Sequence, residues 1–417
     1  PEVVAGWRDR NPAVQQWARW KVAAIIHGWN PNTWPAEVSD AVRHGAPASG
    51  PLGPLGSAGP LDSAGPLGSA ALVDFEVFAQ WAVSSQLEAL GSELSTRAAS
   101  LYLDLPIGVS AASYDVWDRP DLFAAGISVG APPDRFFPTG QSWGLAPFIP
   151  SVSSADGHRY FRECLEQHMA VSGLLRLDHV MGLHRLFWVP EGGEPTEGTY
   201  VSYPAEELWA VVAATSAALN CGVVGEDLGT VPDEVRHSMH EVGALGLFIG
   251  QDEVRSPLRL ARPVPEKSVA SLNTHDLETF ANWYLSSHEQ PLGEVGEARN
   301  HLCAELALSA ADVVMISEQD LWLDNRRINI PGQVGGTLWR ERSQGSLEVL
   351  EHSEEGAQAR ELLSVLRAWR TTTRGDFPDH SAGWLDDADI DSLHNGTHAR
   401  LANRFGLHPS SVDGLLG

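Results

Sequence analysis

The sequence predicts an α/β fold of parallel strand–helix units, of the kind that closes a (β/α)8 barrel, and three observations predict it. Short, mostly apolar runs recur along the chain, helical patterns lie between several of them, and carboxylates stand where the runs end. Strands buried on both faces by flanking helices lose the polar alternation of a half-exposed sheet. Alternation with helices at this spacing marks βα units, and in a barrel of such units the C-terminal strand ends converge on the active site.

The runs fall at residues 101–105, 173–178, 221–226, 245–249, 269–273 and 312–316. Asp104, Asp178, Glu226 and Asp276 stand at the ends of four of them. A closed barrel has eight strands, so residues 71–374 are expected to carry strands 3 to 8 of a TIM-barrel type catalytic domain with helical insertions. The first two strands are expected upstream of Pro1, in a longer protein. Residues 1–44 read as a helical segment inserted in or flanking the barrel. In it Asn11 suits an N-cap, Pro12 a first turn and Gly28 a stop. Residues 45–70 repeat Gly-Pro-Leu among Ser and Ala, a low-complexity insertion that cannot build a core.

Helical periodicity resumes through Phe75, Phe78 and Leu87, and the two phenylalanines are expected to pack. Between residues 204 and 220, Leu208, Val212, Thr215 and Leu219 fall on one helix face, and Thr230 with Asp233 can form a capping pair for a further helix. Residues 375–417, with Asp386, Asp387, Asp389 and Asp391, read as an acidic, solvated C-terminal tail.

Composition excludes several function classes. A formal net charge of −26, from 54 acidic against 28 basic residues, repels phosphate backbones. Nucleic acid and anionic membranes are therefore not expected partners, whereas a neutral substrate is compatible. The three cysteines, Cys164, Cys221 and Cys303, are far apart and form no disulfide or zinc spacing. No apolar run is long enough for a membrane helix, and the N-terminal residues have no signal-peptide pattern. A cytoplasmic protein is expected. His179 with His184, and His237 with His240, have no third ligand nearby, so they read as solvated or hydrogen-bonded rather than metal-binding.

Paired carboxylates are the usual machinery of glycosidic bond cleavage, one attacking or stabilising the anomeric carbon and the other carrying a proton. Arg176, two residues before Asp178, would share its strand face and favour the ionised aspartate. Glu226, beside Asp227 on an otherwise apolar strand, suits the protonated role. Spacing alone leaves open that these are ion-paired structural carboxylates.

The wording around them is more specific. Residues 175–179, Leu-Arg-Leu-Asp-His, resemble the R-x-D-H segment of the α-amylase-like clan. Residues 224–229, Val-Gly-Glu-Asp-Leu-Gly, resemble the acid/base segment of the 4-α-glucanotransferases (amylomaltases) of glycoside hydrolase family 77, and residues 273–276, Asn-Thr-His-Asp, resemble their T-H-D segment. Pro132-Pro133-Asp134 with residues 140–144, and residues 327–332, also look like that family. The resemblance implies a retaining transfer of α-1,4-glucans, with Asp178 as nucleophile, Glu226 as acid/base and Asp276 gripping the donor sugar. It implies glucan contacts for Arg176 and His275, for Asp134, Gln141 and Trp143 on one loop, and for Asn329 on another. It implies no metal and no organic cofactor. An α-glucan hydrolase of the same clan, or a glucan-binding remnant without turnover, is the alternative. Oligomeric state is left open.

Overall fold

The computed structural model describes residues 2–45, 69–134, 137–255, 259–287, 295–331, 333 and 335–374. Most of the Gly-Pro-Leu insertion and the whole acidic tail lie outside them. The chain divides into two compact units, Pro1–Val223 and Val224–Gly417.

The first unit opens with α1 (Glu2–Arg10), α2 (Pro12–His27) and α3 (Ala36–His44). Asn11 occupies the N-cap of α2 as predicted, but its side chain does not cap. Its Nδ2 donates instead to the Trp7 carbonyl at 2.8 Å, closing the end of α1. Gly28 ends α2 at φ +95°, a backbone conformation available to glycine without strain. Trp20, Ala23, Ala24, Trp34, Val38 and Val42 form a core against which Tyr114 and Trp117 pack.

The helix α4 (Ser69–Thr96) starts inside the predicted insertion and is longer than its periodicity indicated. It buries Leu72 and Val77, while Phe75 and Phe78 are 59% and 48% exposed, against the expectation that they pack. Apolar residues cover more than one side of this helix, and a single stripe can turn inward. Phe78 instead lies against Trp81 along the helix, with centroids 5.5 Å apart.

Two strands follow, β1 (Tyr102–Leu105) and the short β2 (Val109–Ser110). Next come α5 (Tyr114–Asp118), β3 (Ile127–Ala131), β4 (Gln141–Ala146), α6 (Pro150–Ala155), α7 (Arg159–Met169), β5 (Leu174–Leu177), β6 (Arg185–Pro190), β7 (Thr199–Ser202) and α8 (Ala205–Leu219). The predicted runs at 101–105 and 173–178 are β1 and β5, parallel and in register from Tyr102 opposite Leu174 to Leu105 opposite Leu177. The helix α8 buries Leu208, Val212 and Thr215 along the predicted face.

A five-stranded sheet in the order β2-β4-β3-β6-β7 was not foreseen. Its named pairings are antiparallel. Its strands mix polar and apolar residues and are broken by Gly130, Gly144 and Pro190, which read as turns in sequence. Gly130 is there because a Cβ would lie 2.1 Å from the Gln141 carbonyl oxygen, at the irregularity between β3 and β4.

The division falls inside β8 (Gly222–Gly225), whose first residue donates its N–H to Gly173 O at 2.9 Å. In the second unit Gly225 donates to Leu245 O at 2.8 Å. Then follow α9 (Asp233–Val242), β9 (Gly246–Ile249), β10 (Val254–Arg255), β11 (Arg259–Leu260), β12 (Ser268–Ser271), α10 (Phe280–Ser287), α11 (Val295–Ala307), β13 (Val313–Met315), α12 (Glu318–Trp322), α13 (Leu347–His352) and α14 (Glu354–Arg374). The strands β9, β12 and β13 are parallel, with β12 in the middle. The predicted Thr230–Asp233 capping pair does not form, because Pro232 takes the N-cap of α9. Phe248, Leu272, Phe280, Tyr284, Leu302, Cys303, Leu306 and Val365 fill the core of this unit. Among the described residues no helix is long and apolar enough to cross a membrane.

Candidate functional site

In the first unit the chemistry gathers at the end of β5. Asp178 is the first residue past the strand, and its N–H donates to the Leu105 carbonyl at 3.0 Å, which ties it to the end of β1. Arg176 sits opposite Asp104 in the β1–β5 register. Its Nη1 donates to both Asp104 oxygens at 2.8 Å and lies 2.8 Å from Asp178 Oδ1. Arg176 is only 8% exposed, so its charge acts largely out of water. One guanidinium thus holds two carboxylates side by side.

His179 follows in the left-handed region at φ +45°. Burial pushes its imidazole below the usual range, partly offset by the charge of Asp178. Trp143 meets the His179 ring edge-on at 5.3 Å and 78°. Trp143 Nε1 donates to Gln141 Oε1 at 3.2 Å, as a two-residue spacing on one strand face allows. Both residues belong to β4, not to the loop that was expected, because the Gly140 turn delivers the chain into the antiparallel sheet. A Cβ at Gly140 would stand 2.6 Å from Pro195 Cβ. Asp134 does lie on a loop, after β3, and its Oδ1 accepts the Phe137 N–H at 2.6 Å. A cavity of about 300 Å³ runs beside Asp178 and His179, walled mainly by apolar side chains such as Leu105, Phe148 and Leu186.

In the second unit Glu226 follows β8 directly, and its Oε1 accepts the Leu228 N–H at 3.1 Å. Asp227 locks this turn from behind. Its Oδ1 accepts the Leu247 N–H at 2.8 Å and its Oδ2 accepts from Arg236 Nε at 3.2 Å. Arg236 also donates to the carbonyls of Val231 and Asp227, at 3.1 and 3.2 Å.

The residues after β12 form a second cluster in this unit. His275 Nε2 lies 3.4 Å from Asp276 Oδ2. Asn329 Nδ2 donates to Asp276 Oδ1 at 2.7 Å, and Arg327 Nη2 donates to the Asp276 carbonyl at 2.8 Å. Arg327 also pairs with Glu278 at 2.8 Å. Trp339 Nε1 donates to Asn329 Oδ1 at 3.1 Å. Beneath, Asn273 Nδ2 donates to both oxygens of buried Asp320, at 3.0 and 3.1 Å. Burial raises the Asp320 carboxyl, against hydrogen bonds from Ser317, Phe280 and Asn273.

The predicted residues therefore fall into groups: Arg176 with Asp178; Gln141 with Trp143 and the His179 ring; and His275, Asp276 and Asn329. Asp134 shapes its own turn and Glu226 accepts from its own. Sequence reasoning missed Trp339, Glu278, Arg236 and Asp320. Trp339 and Asp320 reach these clusters through the fold, far in sequence from their partners, whereas Glu278 stands two residues after Asp276 and Arg236 nine after Asp227, where local proximity was the available signal. Among the described residues no group of three or more His, Cys, Asp or Glu side chains is disposed to hold a metal ion. Two of the paired histidines are hydrogen-bonded or ion-paired, His184 accepting from Trp209 at 3.0 Å and His237 meeting Glu241 at 3.3 Å.

Comparison with known proteins bears on what these clusters do. Residues 67–348 match the family model described as 4-alpha-glucanotransferase. A 4-alpha-glucanotransferase of Haemophilus influenzae is 39% identical over 215 residues, covering 51% of this chain and 31% of that protein. One from Mycobacterium bovis is 36% identical over 249 residues, covering 58% of this chain and 34% of that protein. The chain thus spans about a third of the length of these curated relatives. Among solved structures, an amylomaltase from Streptococcus agalactiae in complex with acarbose superposes with a TM-score of 0.71 at 18% identity, covering 88% of this chain and 74% of that one. The amylomaltase from Corynebacterium glutamicum gives 0.69 at 20% identity, covering 86% of this chain and 55% of that one. Likeness at such identities shows a shared α/β fold.

Proposed function

The chain belongs to the 4-alpha-glucanotransferase family, and from this we propose that it transfers α-1,4-glucan segments from a donor maltooligosaccharide to the 4-hydroxyl of an acceptor glucan. The observation that carries the reading is the Arg176 clasp. A nearly buried cation 2.8 Å from Asp178 holds that carboxylate in one orientation at the end of a strand, as an attacking group requires.

In this reading Asp178 attacks the anomeric carbon while Glu226 protonates the departing 4-oxygen. Asp178 is then bonded to the anomeric carbon; Glu226, now a carboxylate, deprotonates the 4-hydroxyl of the incoming glucan, whose oxygen displaces Asp178 and reforms the α-1,4 bond with retained configuration. Asp276, steadied by Asn329, grips the hydroxyls of the donor sugar. Arg176 and His275 line the same donor subsite, and Asp134, Gln141 and Trp143 extend the glucan contacts. Asn329 acts on the glucan through Asp276 as well as directly. The apolar cavity beside Asp178 supports exclusion of water, which transfer requires if an acceptor sugar is to outcompete hydrolysis.

The proposed architecture is a (β/α)8 barrel in which β1, β5, β8, β9, β12 and β13 are strands 3 to 8, within residues 71–374. In this reading residues 1–44 are inserted in or flank it, 45–70 are a low-complexity insertion and 375–417 an acidic tail. The reaction uses no cofactor, and the setting is cytoplasmic maltodextrin or glycogen metabolism.

Incubation of the full chain with maltotriose, with products resolved by chain length, tests the reading. A ladder of longer maltooligosaccharides plus glucose is expected, and it should vanish in Asp178→Asn. Maltose and glucose without longer products would make the chain a hydrolase, and no turnover would defeat the proposal.

A further inference from the structure

Trp339 lies on the loop that also carries Arg327 and Asn329. It is 63% exposed, although an indole gains more from burial than almost any other side chain. Its backbone is held at φ +58°, in the left-handed region that bulky residues seldom adopt. The ring is nevertheless fixed in place. Nε1 donates to Asn329 Oδ1 at 3.1 Å, and the ring meets His275 at a centroid separation of 5.6 Å, tilted by 54°. Both partners bear directly on Asp276, Asn329 at 2.7 Å and His275 at 3.4 Å. An apolar plate is thus anchored by its one polar edge beside a carboxylate cluster and left open to solvent.

We propose that Trp339 is a stacking platform for a sugar ring of the bound glucan, adjoining the ring whose hydroxyls Asp276 grips. The inference rests on the glucan-transfer reading and adds a specificity-determining residue to it. A pyranose presents hydroxyls around its rim and C–H bonds on its faces. A carboxylate that takes the rim of one sugar and an indole that takes the face of another are complementary to a chain of glucose units. The charges of the same loop favour a neutral ligand. Arg326 pairs with Asp324 and Glu341, and Arg327 with Glu278, so these guanidinium groups are already engaged. The indole N–H, spent on Asn329, fixes the plane of the ring and leaves the ring to do the recognising.

The test compares the full wild-type chain with Trp339→Ala and Trp339→Phe, by calorimetric binding of maltoheptaose and by the KM and kcat of transfer from maltotriose. Loss of the platform in Trp339→Ala should weaken binding and raise KM roughly tenfold or more, with kcat much less affected. Trp339→Phe, which keeps a ring and loses the N–H, should stay within about threefold of wild type. Unchanged binding in Trp339→Ala, with wild type still binding maltoheptaose, would overturn the platform and leave the transferase reading intact. Equal defects in the two variants, expressed in kcat, would overturn it in favour of the N–H acting through Asn329 on Asp276. Wild type that binds no maltoheptaose would overturn both readings together.

Discussion

Replacing Arg176 by methionine would keep the length of the side chain and leave Asp104 and Asp178 without the cation between them. Breaking a buried ion pair costs about 3–5 kcal/mol. The two carboxylates are partly exposed, at 40% and 31% of their side-chain surface, so screening reduces the expected loss to roughly 2–3 kcal/mol. Urea unfolding of Arg176→Met measures it, and a loss below about 0.5 kcal/mol would mean that the clasp is decorative. The neighbouring His179 sets a pH dependence of definite sign. Its imidazole titrates near 6.5 when unfolded and lower when folded, because burial disfavours the cation. Between those two values the unfolded chain binds more protons. The contribution of His179 is therefore fully present above pH 6.5 and is lost as pH falls through the folded value. His179→Asn, which tolerates the left-handed backbone, should remove that component from the dependence of the urea midpoint on pH. An unchanged slope would locate the acid sensitivity elsewhere. Arg176 and Asp178 were legible in sequence because strand periodicity put them on one face. The left-handed turn at His179 was not, and although Trp143 was named by resemblance, its contact with the His179 ring was not foreseen, since neither leaves a periodic signal.

Among the elements, α11 has apolar contacts on nearly all sides, burying Ala298, Leu302, Cys303, Ala304, Glu305, Leu306 and Ala307. Such a helix can turn almost no side to water, and truncation within it leaves a void. Leu302→Ala should cost about 2–5 kcal/mol. The same change at Leu285 on α10, which is largely exposed, should cost less than about 0.5 kcal/mol. Paired denaturation curves with equal midpoints would contradict the core assignment. The elements show which signals the sequence carries. All six apolar runs became strands within two residues of their expected ends, because a strand covered on both faces is written as an unbroken apolar word. The β2-β4-β3-β6-β7 sheet is written differently. Gln141, Ser142, Trp143 and Gly144 alternate between half-buried and exposed over too short a stretch to separate from a turn, and pairing partners far apart in sequence leave no local trace. The same limit explains α4, where composition announced a helix but could not say which apolar side faces inward.

At the scale of the whole chain, the −26 formal charge and the proposed uncharged substrate make a joint prediction. Raising NaCl from about 20 to 300 mM shortens the screening length from roughly 20 to 6 Å. That should leave the KM for maltotriose within about twofold, since no long-range attraction draws a neutral sugar in. A steep salt dependence would instead indicate a charged ligand. The cluster of aromatic rings built by α2, the segment that follows it and α5 has a consequence for how the molecule is observed. Trp20 lies 6.0 Å from Trp29 and 6.2 Å from Trp34, and Trp34 lies 6.4 Å from Trp117. Indoles this close share excitation, so they give strong exciton-coupled signals in near-ultraviolet circular dichroism and exchange energy before they emit. The intrinsic emission of this protein, which has 15 tryptophans, therefore includes a component that reports the packing of this cluster. A glucan titration followed by total fluorescence would read that cluster as well as Trp339, whereas a fluorinated indole placed at Trp339 alone would give a resonance of its own.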